Sequence, residues 1–242
     1  MAFGAVGCGE ESRFFVVQNQ APSDMCEISA KPDNPFKGTG RLDAALIGPG
    51  ETDAYTIFPL LQNDLPRAGQ EGAPEPNRLT VEAFMVRLEL DRTAPAAARK
   101  VFDDLAASET GKRFLAFEQP FAATIDPGGS RISSHVDAFP AEVVRRLREA
   151  GAFEGVAAIR TMVNLRVRGR GLSRVVETPE FRFPLEICDG CLARVVGACP
   201  LQKLENAGHG CNIAQDQVVD CCTEARGVRC PASVSTTTPA AP

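Results

Sequence analysis

Apolar and polar residues alternate most cleanly over residues 159–168. Ile159, Thr161, Val163, Leu165 and Val167 share one face, and Arg160, Asn164, Arg166 and Arg168 the other, with Met162 as an apolar intruder. A period of two with one wet face predicts a half-buried antiparallel strand. Residues 181–187 repeat the pattern. Phe181, Phe183, Leu185 and Ile187 point inward, Arg182 and Glu186 outward. Pro184 lacks a donor and predicts an edge or a bulge. Residues 79–90 carry apolar side chains on both faces at their middle, as a central strand does. Shorter strands are predicted at 14–17, 42–47, 54–58, 114–117, 121–125 and 131–138. Gly48-Pro49-Gly50 and Asp126-Pro-Gly-Gly129 read as turns, and 66–77 as a loop.

Two segments have helical spacing. Ala98, Val101, Phe102 and Leu105 form one stripe behind Pro95. Pro140, Glu142, the later Arg145, Arg146 and Arg148, and Gly151 mark the start, polarity and end of a second helix. About eight short strands, two short helices and no regular βαβ alternation predict a mainly all-β fold. The expected architecture is an antiparallel β-sandwich, immunoglobulin-like in its layers only, because the hallmark Trp and inter-sheet Cys pair are missing. The expected organisation is a signal or lipobox remnant at 1–8, the sandwich at 9–187, an irregular Cys-rich appendix at 188–230 and a disordered Ser/Thr/Pro/Ala tail at 231–242.

The cysteines change the picture most. Seven of nine fall late: Cys188, Cys191, Cys199, Cys211, Cys221, Cys222 and Cys230; Cys8 and Cys26 lie near the start. A segment as short as the appendix buries too little apolar surface to fold alone, and disulfides are the common remedy, each contributing roughly 2–4 kcal/mol. Seven cysteines cannot all pair internally, so one is expected to reach Cys26. Spacing does not fix the other pairs. Zinc is the rival: Cys188-x-x-Cys191 has knuckle spacing, and His209, Cys211, Cys221 and Cys222 could complete a tetrahedral site. No second tight Cys or His pair supports it. A thioredoxin-like use of Cys188 and Cys191 would want a helix N-terminus, and here the motif follows a strand.

Ala5-Val-Gly-Cys8 is similar to the lipobox of bacterial lipoproteins, where a small residue precedes a Cys that is lipidated after cleavage. Departures are Ala5 where Leu is usual and the lack of a charged, longer leader before it. Setting Cys8 aside for lipid leaves an even eight cysteines for disulfides.

Net charge is −5, Trp is absent, and one Tyr and two His are present. The chain supplies neither a basic field nor a stacking platform for nucleic acid. Nucleophile-elbow, phosphate-loop, dinucleotide and zinc-protease motifs are missing, so no catalytic residue, metal or cofactor is assigned. His135 follows Ser133 and Ser134 on a strand; a Ser–His pairing is conceivable there, but same-strand neighbours rarely make a triad, and His135 reads as a structural or surface histidine. Asn212, Asp216 and Asp220 could offer oxygen ligands to Ca²⁺. Arg160, Arg166, Arg168 and Arg170 form a stripe that is either a solvated face or an anionic docking patch.

Gly7-Cys8, Phe15-Val-Val-Gln-Asn-Gln20, Phe58-Pro-Leu-Leu-Gln-Asn63 and Phe183-Pro-Leu-Glu-Ile-Cys-Asp-Gly-Cys-Leu192 together resemble secreted bacterial lipoproteins of the myxobacterial kind with a Cys-rich C-terminus. The resemblance implies a location and no activity. The expectation is a non-enzymatic cell-envelope lipoprotein, a structural or binding module held to a membrane through Cys8. It would face an envelope protein partner and sit in the outer membrane, periplasm or extracellular space. A secreted hydrolase or enzyme accessory, and an intracellular zinc-binding module, are the alternatives.

Overall fold

The computed structural model describes residues 13–48, 53–68, 74–172, 174–199, 205–225 and 227–231. The expected lipobox at 1–8 and all but the first residue of the expected tail lie outside them. Strands take 45% of the chain and helices 15%, which makes the fold mainly β.

The largest sheet is assembled from β2 (Gly40–Asp43), β5 (Leu79–Leu90), β6 (Ala116–Ile125), β9 (Ile159–Arg170) and β11 (Phe181–Cys188), in the order β2-β11-β9-β5-β6, with β10 (Val175–Glu177) added to β9. Strand β9 keeps most of the alternation of its sequence: Val163, Leu165 and Val167 are fully buried, and Arg160, Arg166 and Arg170 are exposed, but Asn164, expected on the wet face, is buried with its Nδ2 donating to Arg87 O. Two smaller sheets belong to the layers around the buried core. One is β1 (Phe14–Asn19), β4 (Pro59–Asn63) and β7 (Ser130–Ser133). The other is β3 (Asp53–Ile57) with β8 (Val136–Pro140). Rings mark where the layers meet. Tyr55 of β3 packs on Phe183 of β11 with ring centroids 5.9 Å apart, and Phe14 of β1 lies over Gly169 of β9. Helix α1 (Ala96–Ala107) buries its predicted stripe, and α3 (Ala141–Glu149) buries Val143, Val144 and Leu147.

The paired Gln-Asn dipeptides of β1 and β4 are structural. Phe14 pairs with Asn63 and Asn19 with Pro59. Asn19 Oδ1 accepts from Phe58 N at 2.6 Å. Asn63 Nδ2 donates to the carbonyls of Asn77 and Ile125. Buried amides so satisfied fix how the ends of this strand pair meet the loops.

Several expectations need correction. A third helix, α2 (Glu109–Leu115), occupies part of the predicted 114–117 strand. Ser108 Oγ caps it by accepting from Gly111 N, with Glu109 in the first turn and Lys112 and Arg113 in the last. The remainder of 114–117 and the predicted 121–125 are one strand, β6, that runs through Pro120. As the sheet's edge strand it tolerates a missing donor, and β5 bulges opposite. Residues 42–47 are half strand and half 3-10 turn, with Asp43 Oδ1 accepting from Ala45 N. Residues 131–138 split at Ser134–His135 into strands of different sheets. Pairing is not wholly antiparallel, since β2 joins β11 in parallel. Pro184 pairs in register with Met162 on one side, and β2 begins only at Leu185 on the other, so the residue lies on the half of β11 beyond β2.

The appendix is not irregular throughout. It contains β12 (Ala193–Ala198), β13 (Val219–Glu224) and β14 (Gly227–Arg229), with β12 and β13 parallel. Leu192, Ile213, Ala214, Val219 and Cys221 belong to the same hydrophobic cluster as the sandwich residues. The packed core therefore runs across position 188.

Orientation of β9 is directly testable. Leu165→Ala removes a fully buried side chain and should cost about 2–5 kcal/mol. Arg166→Ala, whose side chain is half exposed 4.0 Å from Glu180, should cost under about 0.5 kcal/mol. Urea unfolding midpoints compare the two, and equal costs would contradict a one-sided strand.

Candidate functional site: the carboxylate and disulfide junction

The described cysteines are joined in four disulfides: Cys26–Cys211, Cys188–Cys191, Cys199–Cys222 and Cys221–Cys230. Cys26 thus ties the N-terminal region to the appendix, and the adjacent Cys221 and Cys222 reach different partners. Sulfurs bonded pairwise are not free to be thiolate ligands, which removes the tetrahedral set suggested by Cys188, Cys191, His209, Cys211, Cys221 and Cys222. Four disulfides belong to a chain that matures in an oxidising environment, extracellular or periplasmic. Among the described residues no helix is long and apolar enough to cross a membrane.

Asp43 stands at the junction. It ends β2, is fully buried, and lies next to Cys188–Cys191. Its Oδ1 accepts from Ala45 N at 2.9 Å and Gly190 N at 2.6 Å; its Oδ2 accepts from Leu192 N at 2.7 Å and Ala193 N at 3.2 Å. Four backbone donors on one carboxylate replace the water it has lost. Gly190 supplies the φ of +87° that turns its N–H toward Asp43. The turn carries Cys191 to the surface while Cys188 stays buried.

The proposed Ca²⁺ residues do not converge. Asn212 donates to Ala54 O and accepts from Ala214 N. Asp216 accepts from Arg41 N and from the Tyr55 hydroxyl at 2.9 Å, and pairs with Lys37 at 2.9 Å. Asp220 accepts from Arg194 Nε and from the backbone N–H groups of Glu205 and Asn206. Arg194, then these donors, hold the Asp220 carboxyl well below the usual carboxylate range. Each acid is occupied by its own partners, as expected for structural pins. The only tyrosine is one of these partners. Burial first, then Asp216, raises the Tyr55 pKa well above 10.0. Its hydroxyl fills the space where a Cβ on Gly40 would stand, so position 40 must be glycine. Nothing in the sequence signalled Tyr55, because its partner is 161 residues away.

His135 is exposed between β7 and β8, and the neighbouring Ser134 Oγ donates to Pro59 O, so no Ser–His pair forms there. The arginine stripe is a solvated face and not a basic patch. Glu186 lies between Arg41 (3.2 Å) and Arg160 (3.3 Å). Arg166 faces Glu180, Arg168 pairs with Glu118 and Glu82, and Arg170 pairs with Glu82. No family model, curated protein or solved structure matches the chain.

His209 lies in the loop that carries Cys211. It is buried, stacks on Phe58, and its Nδ1 accepts from the backbone N–H groups of Cys211 and Asn212. Burial is the largest influence and lowers its pKa from 6.5; Asp216 and Asp24 oppose this and Lys37 reinforces it. The folded state therefore takes up a proton later than the unfolded state. Stability should be full above 6.5 and decline as pH falls from 6.5 toward the lower folded-state value. Urea midpoints measured from about pH 7.5 to 5.5 should show this decline, and His209→Gln should flatten it. Asp43→Asn places an amide donor against the N–H groups that now meet a carboxylate. It should cost at least about 3 kcal/mol by the same assay, far more than an exposed Asp104→Asn.

Proposed function

We propose that the chain is an exported protein of the bacterial cell envelope, anchored by lipid on Cys8 and acting as a structural or binding module. One observation carries this reading. Nine cysteines are present, and the eight within the described residues are consumed pairwise. Cys8 is left over, and it is the residue that follows the small Gly7 in a lipobox-like context. An unpaired thiol is awkward in an oxidising compartment, and lipidation would consume it. The buried carboxylates, occupied by structural partners, are consistent with a scaffold role for those acids. The outer membrane is the proposed location, with the periplasm or cell exterior facing the folded part.

The anchor is tested by expression in a bacterium behind an export leader with residues 5–8 intact. The wild type should fractionate with membranes and carry the lipid mass on Cys8, and Cys8→Ser should be released in soluble form. Several acyl chains hold stably where one is marginal, so the contrast should be nearly complete. A wild type that is soluble with an unmodified Cys8 overturns the anchor.

A further inference from the structure

Two concavities on the open face of the large sheet share Thr93, Arg160 and Glu186. One, of about 740 Å³, spreads over Met162 and Pro184. The other, of about 460 Å³, ends against Cys188 and Cys191. Together they form a groove, lined by apolar as well as charged side chains, that leads to a disulfide.

We propose that Cys188–Cys191 is a reversible thiol–disulfide exchange site whose substrates are peptidyl thiols entering this groove. Four observations carry the assignment. First, this bridge spans a sequence separation of 3, against 9, 23 and 185 for the others. It restricts the unfolded chain least, so opening it costs the fold least. Second, the loop does not depend on the bond for its shape. Asp43 holds the N–H groups of Gly190, Leu192 and Ala193, and Cys188 stays paired with Asp43 of β2. Third, the two cysteines are unequally exposed. Cys191 is exposed on the concavity and Cys188 is 2% exposed, which separates an attackable sulfur from a protected one. Cys26 is also exposed, but its bridge lines neither concavity. Fourth, Cys188 Sγ lies 3.4 Å from Leu42 O, so the thiol released there has an acceptor already in place and the dithiol form leaves no buried donor unpaired.

The exchange balances with two thiols. A substrate thiolate attacks Cys191 Sγ, forms a mixed disulfide and expels the Cys188 sulfur, which takes a proton and donates it to Leu42 O. A second substrate thiolate attacks the substrate sulfur of the mixed disulfide and expels Cys191 as a thiolate. The substrate leaves oxidised as a disulfide, and Cys188 and Cys191 are left as two thiols. The reverse sequence reduces a substrate disulfide.

Glutathione is the probe, on the full chain at neutral pH, with alkylation, peptide mapping and circular dichroism. Cys188–Cys191 should be half reduced at a [GSH]²/[GSSG] ratio about 10-fold or more below that needed for any other bridge, with an unchanged spectrum. Trapped glutathione should map to Cys191. Mercaptoethanol should react more slowly at equal thiolate concentration. Cys188→Ser should take up glutathione on Cys191, whereas Cys191→Ser should leave Cys188 unreactive in the folded protein. Should Cys188→Ser fail to fold, trapping on the wild type decides the matter. Reduction of all four bridges together, survival of Cys188–Cys191 until the fold is lost, or trapping on Cys188 would overturn the exchange site. Equal thiolate-normalised rates for glutathione and mercaptoethanol would overturn the peptidyl specificity. None of these readouts depends on Cys8.

Discussion

The carboxylate of Asp43 is the constraint on which the rest of the junction depends. A buried charge is tolerated only when its lost hydration is replaced, and here four backbone N–H groups from two distant segments do so. The arrangement works in both directions. The carboxylate satisfies donors at a 3-10 turn and a cysteine loop that no ladder could reach, and those donors satisfy the carboxylate inside the core. The end of β2, the turn that follows it and the start of the appendix are thereby set relative to one another by side chain–backbone bonds.

Asp216, Asp220 and Gln215 extend the same device. Gln215 Oε1 accepts from Thr56 N while its Nε2 donates to Thr56 O, so a side chain stands in for a neighbouring strand. Asp216 sits at φ +63°, a conformation an Asp tolerates better than most residues, and so faces Tyr55, Lys37 and Arg41 N together. The disulfides act on the unfolded chain. By chain-entropy reasoning Cys26–Cys211, at a separation of 185, contributes roughly 5 kcal/mol, and Cys188–Cys191 roughly 2. Covalent stapling and carboxylate pinning thus divide the appendix. The long-range bridge restrains its position, and the buried acids hold its local geometry.

Much of the frame was legible because it is periodic. Strand β9, strand β11 and both long helices follow from apolar spacing, and the parity of the cysteines follows from counting. What stayed illegible was set by contacts between residues far apart in the chain. The Asn212–Asp216–Asp220 cluster looked like cation ligands because sequence shows three oxygen donors close together and hides the Lys37, Tyr55 and Arg194 that claim them. The arginine stripe looked basic because its glutamates lie on other segments of the chain: Glu82 on β5, Glu118 on β6, Glu180 just before β11 and Glu186 on it. Helix α2 was readable in principle, since Ser108, Glu109 and Lys112 are a cap and two end charges, but the aromatic run beginning at Phe114 favoured a strand.

The shared core also limits what the appendix can be. Leu192, Ile213, Ala214 and Val219 pack into the hydrophobic cluster of the sandwich, and Asn212, Gln215 and Asp216 bond the backbone or side chains of β2 and β3. Removing the appendix would expose apolar surface, take from Ala54 O, Thr56 N and the Tyr55 hydroxyl the partners it supplies, and leave Asp43 only Ala45 N of its four donors. Each loss of that kind carries a desolvation penalty beyond the lost burial. The Cys-rich segment is therefore a wall of the core with a stapled outer sheet, and its reach back to Cys26 closes the wall against the N-terminal strands. A local opening such as that of Cys188–Cys191 is compatible with this wall because the pins beneath it do not depend on the bond.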